Sequence, residues 1–196
     1  MDLTPELRNR VYAFYMSEFD NVLLAPTQPP LTQASSQLRQ EALPIFYRTC
    51  TFCLTLQVVP YGLLWGLDTD LFIKSLRPSS LAMIRNIQLQ LFDRGEDMVY
   101  HPFDRVYGIA IDVRLGNGRK PCAVDLLQRL KADEFRWNIL KERVSEFEVL
   151  ENNVKAVFEV VSRRVDDQTG ERAVKLTIED LLAARRVMEP SFVRFE

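Results

Sequence analysis

The sequence predicts an α+β protein with N-terminal helices, an antiparallel sheet of short strands, and C-terminal helices packed on one face of it. Three observations carry that expectation. Apolar residues recur at helical spacing at both ends of the chain, and strictly alternating segments occupy its middle. The second alternating segment is followed by Gly116-Asn117-Gly118, a strong hairpin signal. At 196 residues the chain is long enough to bury a real core, and one integrated domain over 1–196 is expected.

The first helix opens at Thr4, a capping residue, with Pro5 in the first helical position and Glu6 in the first turn, where the helix dipole favours a carboxylate. Leu7, Val11, Phe14 and Tyr15 have the spacing of a buried stripe, and the helix is expected to fade near Asp20-Asn21. Ala25 to Pro30 holds three prolines and reads as a loop. A second helix starts near Thr32, with Leu31, Ala34, Leu38, Ala42 and Ile45 on its apolar face; Pro44 is expected to kink it or end it early.

Thr51 to Val58 reads as a buried strand. Asp68 is a cap for a short helix through Leu76, and Ser79 opens a turn of helix to Arg85. Ile87 to Leu91 alternates strictly and predicts a strand with one wet face. Asp93 to Asp104 reads as an exposed loop. Ile109, Ile111, Val113 and Leu115 alternate again. Helical spacing is expected from Val124 to about Leu150. Val157 to Val165 and Arg172 to Leu176 are then read as strands flanking a turn at Asp166 to Gly170. Thr177 to Asp180 resembles a capping box that opens a last helix to about Met188, ended by Pro190.

Composition excludes more than it proposes. There are 25 Lys+Arg against 27 Asp+Glu, so no global field draws in nucleic acid or an acidic membrane, and nucleic-acid binding is not expected. Residues 1–98 carry 8 basic and 10 acidic groups and 99–196 carry 17 of each, so an apolar first half precedes a densely charged second half. The single histidine excludes chemistry that needs two. With seven glycines there is no phosphate loop, dinucleotide fingerprint or nucleophile elbow, and no cofactor is expected. The longest apolar stretch, Val58 to Leu67, is broken by Pro60, Gly62 and Gly66, so no membrane span is expected. The opening residues lack a basic region followed by an apolar run, so no signal peptide is expected either. Three cysteines read as reduced thiols of an intracellular protein, cytoplasmic or nuclear.

Two segments carry a family resemblance. Leu3-Thr4-Pro5-Glu6-Leu7-Arg8-Asn9-Arg10-Val11-Tyr12 resembles the L-P-x-E-L-R-N-x-I-Y opening of the fungal F-box-like proteins, and Glu6-Leu7-Arg8 matches the E-x-R signature of a related fungal family. Ser36 to Tyr47 resembles that group's R-Q-I-R-Q-E-A-L-P-x-F-Y motif, and Ile84 to Leu89 loosely resembles a later segment. The match covers residues 3–55 well. Thr4 departs from it, standing where the motif's first proline would be, and the proline loop at 26–30 stands where further F-box helices would lie. The resemblance implies a non-enzymatic adaptor or scaffold, linked to ubiquitin-ligase assembly through a Skp-type adaptor of cullin ligases. Leu3, Pro5, Leu7 and Val11 are the positions that would meet the partner. Read for packing alone, Glu6, Arg8, Arg39 and Glu41 are candidates for an ion-pair network fastening the first helix to the second.

The remaining constellations are weaker. Cys50-Thr51-Phe52-Cys53 has redox-motif spacing but leads into a strand, where residues three apart point to opposite faces, so buried thiols are expected. His101 lies among Asp93, Glu96, Asp97 and Asp104. A cryptic enzyme or metal-binding protein using Asp97, His101 and Asp104 is the alternative reading, beside that of a solvated acidic loop. Trp65 and the tail around Phe192 and Phe195 are candidate aromatic contacts.

Overall fold

A computed structural model describes residues 3–18, 22–23, 28–59, 62–92, 108–116, 122–127, 144–164 and 175–189. In chain order these form α1 (Pro5–Ser17), β1 (Val22–Leu23), α2 (Pro30–Ala34), α3 (Ser36–Thr49), β2 (Thr51–Val59), β3 (Gly62–Trp65), α4 (Leu67–Ser75), α5 (Pro78–Leu81), β4 (Asn86–Phe92), β5 (Gly108–Arg114), β6 (Ala123–Leu127), α6 (Val144–Arg163) and α7 (Ile178–Met188). The architecture is α+β.

The strands make one six-stranded sheet in the order β1-β2-β4-β5-β6, with β3 also paired to β2. The expected antiparallel sheet is therefore only partly so. β2 runs parallel to both β1 and β4, while β3 against β2, β4 against β5, and β5 against β6 are antiparallel. The parallel pairs follow from the helices between their strands: α2 and α3 separate β1 from β2, and α4 and α5 separate β2 from β4. Parallel neighbours need such a crossover, whereas a tight turn can only make an antiparallel pair.

Register gives the sheet two different faces. Phe52 pairs with Ile87, Ile87 with Val113 and Val113 with Val124; Leu54 pairs with Leu89, and Leu89 with Ile111. All of these side chains are buried in the main core together with Phe46, Tyr47, Phe72, Leu150, Phe158 and Leu181 from the helices. One residue along, Cys53, Gln88, Asp112 and Asp125 form a row across the opposite face. The wet face expected for Ile87 to Leu91 is not wet at Gln88, which is buried with its amide satisfied on both sides: Nε2 donates to Asp112 Oδ1 at 2.6 Å, and Oε1 accepts from Gln90 Nε2 at 2.5 Å. A buried amide is tolerated because its hydrogen bonds replace those lost to water.

Several sequence expectations are corrected here. The second helix is two pieces, broken at Ser35, whose hydroxyl accepts from the Leu38 N–H and caps α3. Pro44 does not end α3, which continues to Thr49; among its described core contacts Ala42, Phe46 and Tyr47 are the buried ones, and Ala34 is exposed. Gly66, not Asp68, precedes the first residue of α4. Of the helix expected from Val124 to about Leu150, the first residues are instead strand β6, because the Ala123–Leu127 segment continues the ladder from β5; residues 144–150 are helical in α6, and 128–143 lie outside the described residues. Residues 157–163 of the strand expected at 157–165 are the C-terminal part of α6, and Val165 lies outside the described residues. Leu150, Val154, Phe158 and Val161 are buried at helical spacing, which outweighs the strand preference of the valines. The returning strand expected at 172–176 lies partly outside the described residues, and Lys175 and Leu176 are not in a strand. β1 and β3 were not anticipated, being two and four residues long.

The capping box does form. Thr177 Oγ1 accepts from the Asp180 N–H at 3.3 Å while Asp180 Oδ2 accepts from the Thr177 N–H at 2.8 Å. The same buried carboxylate accepts from Arg164 Nη1 at 2.8 Å and also from Nη2, joining the end of α6 to the start of α7. At the other end of α7, Glu189 Oε1 accepts from the Leu63 N–H at 3.2 Å. Gly62 has φ +150°, and a Cβ there would collide with the Glu189 carboxylate, so glycine serves both the backbone and the contact.

Phe52 is fully buried, stacked on Phe72 with centroids 5.6 Å apart and edge-on to Phe46 at 5.3 Å. Truncation to alanine leaves a cavity between helices and sheet, so Phe52→Ala is expected to destabilise the protein by about 3–5 kcal/mol in urea unfolding. A loss below about 1 kcal/mol would show that the rings do not hold the crossovers to the sheet.

Candidate functional site

Helix α1 is the element with two usable faces. Tyr12 and Met16 point inward and are buried in the core. At about 100° per residue, Leu7, Val11 and Phe14 fall within an arc of roughly 60° on the other side of the axis, and Leu3 lies just ahead of the helix, before the extended Thr4. These four are exposed, Phe14 at 70 % and Val11 at 53 %. The expectation that Leu7, Val11, Phe14 and Tyr15 form a buried stripe is thus corrected: Tyr15 is half-buried and the other three face solvent. The spacing of a stripe cannot say which side the core is on when a helix carries apolar residues on both. The larger inward pair, Tyr12 and Met16, faces α3 because Tyr12 also finds a polar partner there.

That partner is Glu41. Its Oε2 accepts from Arg8 Nε at 2.9 Å and from the Tyr12 hydroxyl at 2.9 Å; its Oε1 accepts from Arg8 Nη2 at 3.1 Å and from Gln37 Nε2 at 3.1 Å. Arg8 thereby grips the carboxylate with two parallel bonds, the geometry that suits its planar fork. Its remaining Nη1 donates to the Leu3 carbonyl at 2.8 Å, which sets the position of the first residue of the outward stripe. One side chain therefore anchors α1 to α3 and orders the chain ahead of the helix.

Of the four ion-pair candidates, the structure brings only Arg8 and Glu41 together. Arg39 turns the other way and donates from Nε to the Thr32 carbonyl at 3.0 Å, tying α3 to α2. Glu6 is exposed; its own backbone N–H and the Thr4 hydroxyl hold its carboxyl below the usual carboxylate range. Pro5 is exposed in the first turn and, by the helical period, lies away from the stripe defined by Leu3, Leu7 and Val11. Leu7, Val11 and Phe14 all have the spacing that placed them in the core, and of these only Phe14 lay outside the motif that offered partner positions. Its signal was present, since it continues the Leu3-Leu7-Val11 series.

Residues 3–55 are not a free-standing helical module. β2 begins at Thr51 in the interior of the sheet, and Phe46 and Tyr47 of α3 pack on it through Phe52. A second apolar group, Leu64, Leu67 and Leu71, is exposed on β3 and α4, while Trp65 is half-buried.

The thiols are placed for packing. Cys50, Cys53 and Cys122 are free and buried. Burial, followed by the nearby Asp112 carboxylate, pushes Cys53 up to about 12; burial and then Glu159 push Cys122 up to about 11. Neither is a thiolate near neutral pH, the reverse of what redox or nucleophilic use requires. Asp97, His101 and Asp104, like the tail aromatics, lie outside the described residues. Among the described residues no three His, Cys, Asp or Glu side chains group to hold a metal ion, and no helix is long and apolar enough to cross a membrane. No family model, curated protein or solved structure matches this chain.

Two outcomes test this geometry. Arg8, then Gln37 and Tyr12, lower the Glu41 carboxyl from an ordinary 4.5 to about 2. A carboxylate whose folded value is depressed contributes stability above its unfolded value and loses it as pH falls through the folded one. The wild type is therefore expected to lose more stability than Glu41→Gln as pH drops from about 5 to about 2, measured by urea midpoints; parallel curves would remove the clamp's role. Native protein at pH 8 is expected to react with a thiol reagent far more slowly than unfolded protein. Prompt labelling of Cys53 in the native state would contradict the burial assigned to it.

Proposed function

We propose that this protein is a non-enzymatic interaction protein, an adaptor or scaffold, that docks a protein partner on the outward stripe of α1. The observation that carries this reading is the exposure of Leu7, Val11 and Phe14 on a helix that already has a complete inward face, with the exposed Leu3 just ahead of it. Large apolar side chains scattered singly on a surface need no explanation, but three in one arc of a single helix, with a fourth just ahead of it, form a patch of the kind that binds other proteins. The mode is helix recognition through anchors at i, i+4 and i+7/i+8 spacing. The clamp at Glu41 supports it by holding the helix in place before binding, which lowers the ordering cost of association.

The resemblance to the fungal F-box-like proteins favours a partner of the Skp type and a link to ubiquitin-ligase assembly. Leu3, Leu7 and Val11 belong both to the motif that resembles the F-box opening and to the exposed stripe. The incorporation of residues 3–55 into the sheet weighs against docking through a separate F-box bundle, so the contact we propose is made by α1 itself.

The test is binding of the full chain to a purified Skp-type adaptor, alone and with a cullin, by calorimetry. Micromolar or tighter binding is expected, with Leu7→Glu and Val11→Glu each weakening it at least about tenfold while circular dichroism and unfolding midpoint stay near wild type. Absence of binding at micromolar concentration would remove the ubiquitin branch. Binding that ignores both substitutions would remove α1 as the docking face.

A further inference from the structure

The rim of the same stripe carries a charge pattern that restricts what covers it. Glu6 and Arg10 are both exposed and lie together on one flank of the Leu3-Leu7-Val11-Phe14 arc, one helical turn apart. Among the described residues neither forms an ion pair within the chain, because the clamp on the inward side uses Arg8 and Glu41 instead. The opposite flank is occupied by Arg8 and Tyr15, the first engaged with α3 and the second half-buried.

We infer that the occupant of this stripe in the isolated protein is a second copy of the same chain, its α1 laid antiparallel across a two-fold axis. This rests on the reading of the α1 stripe as a docking face. Setting Leu7 across from Arg10 of the second copy, next to Val11, brings the chain ahead of each helix towards Phe14 of the other, and the two-fold makes every contact occur twice. In an antiparallel pair of this symmetry the same flank of each helix turns to the same side. Glu6 of one copy then lies across from Val11 of the other, one residue or about 1.5 Å of rise from Arg10, within reach of a long side chain. Each copy supplies one acid and one base to that rim, so two reciprocal Glu6–Arg10 pairs close it. A parallel pairing would instead bring unlike flanks together and leave Glu6 and Arg10 unmatched.

The consequence is regulatory. Self-association and docking of another protein use the same four side chains and exclude one another, so the free protein hides its apolar stripe until a partner competes for it. With four apolar side chains per copy, the interface falls below the roughly 800 Å² per partner of standard complexes, which places the dimer in the weak, reversible class that a partner can displace.

Sedimentation velocity on the full chain, from low micromolar to sub-millimolar concentration, tests this. The wild type is expected to pass reversibly from monomer to dimer, and Val11→Asp to remain monomeric with unchanged circular dichroism. Glu6→Arg alone and Arg10→Glu alone each place like charges on both sides of the rim and are expected to weaken the dimer about tenfold or more. Mixing the two single variants is expected to give a heterodimer stronger than either variant's own dimer, and the double exchange E6R/R10E to restore wild-type association. A wild type that stays monomeric throughout, a dimer indifferent to Val11→Asp, or a mixture no stronger than its components would overturn the inference. The docking reading is judged separately: adaptor binding lost in Leu7→Glu by a protein that never dimerises keeps that reading and discards this one.

Discussion

The rings around Phe52 are the joint between the two halves of this fold. β2 stands in the interior of the sheet, and Phe52 on its apolar face meets Phe46 and Tyr47 from the helix before the strand and Phe72 from a helix after it. Both parallel crossovers are thus pinned at one side chain. Aromatic residues suit such a place because each buries a large area and pairs well edge-on or offset. On the other face of the sheet, beside the buried Cys53 and Ala110, Gln88, Gln90 and Asp112 satisfy one another.

What Phe52 does for the sheet, Glu41 does for α1. A short amphipathic helix has little stability of its own and takes its place from packing. Here the packing is supplied by Tyr12 and Met16, and the orientation by a carboxylate that accepts four hydrogen bonds from three side chains. The division of labour leaves the outward arc of the helix free of any structural duty. Leaving Leu7, Val11 and Phe14 in water forgoes the stabilisation that burial would provide, on the order of 1.5–3 kcal/mol for each such side chain. A surface that forgoes this along one continuous stripe is best understood through what covers it, whether a partner or a second copy.

The parts of the fold that could be read from sequence were those governed by neighbours in the chain. The capping box at Thr177 and Asp180, the alternation of Ile87 to Leu91, the alternation of Ile109 to Val113 and the start of α1 at Pro5 all depend on residues a few positions apart. The misreadings share a cause. Ala123–Leu127 is too short for its period to separate strand from helix, and β5 decides by offering a ladder. The valines of α6 prefer strands locally, yet their spacing lets Val154 and Val161 enter the core as a helix does. Pro44 is accepted within α3, whose first residues are already positioned by Ser35 and by the clamp at Glu41. The candidate site was half legible: Leu3, Leu7 and Val11 stood out as a motif, yet the helical spacing assigned Leu7 and Val11, like Phe14, to the core.

By itself the sequence determined the α+β class, the starts of its first and last helices and the alternation of its central strands. These rest on local geometry, which needs no knowledge of distant residues. Only the tertiary structure decided which strands run parallel, which two of four charged candidates meet, and which side of α1 is wet. Each of those depends on contacts across tens of residues, such as Arg8 with Glu41. A helix with apolar residues on two sides is indifferent between them until one side finds a core to enter and a carboxylate to bind.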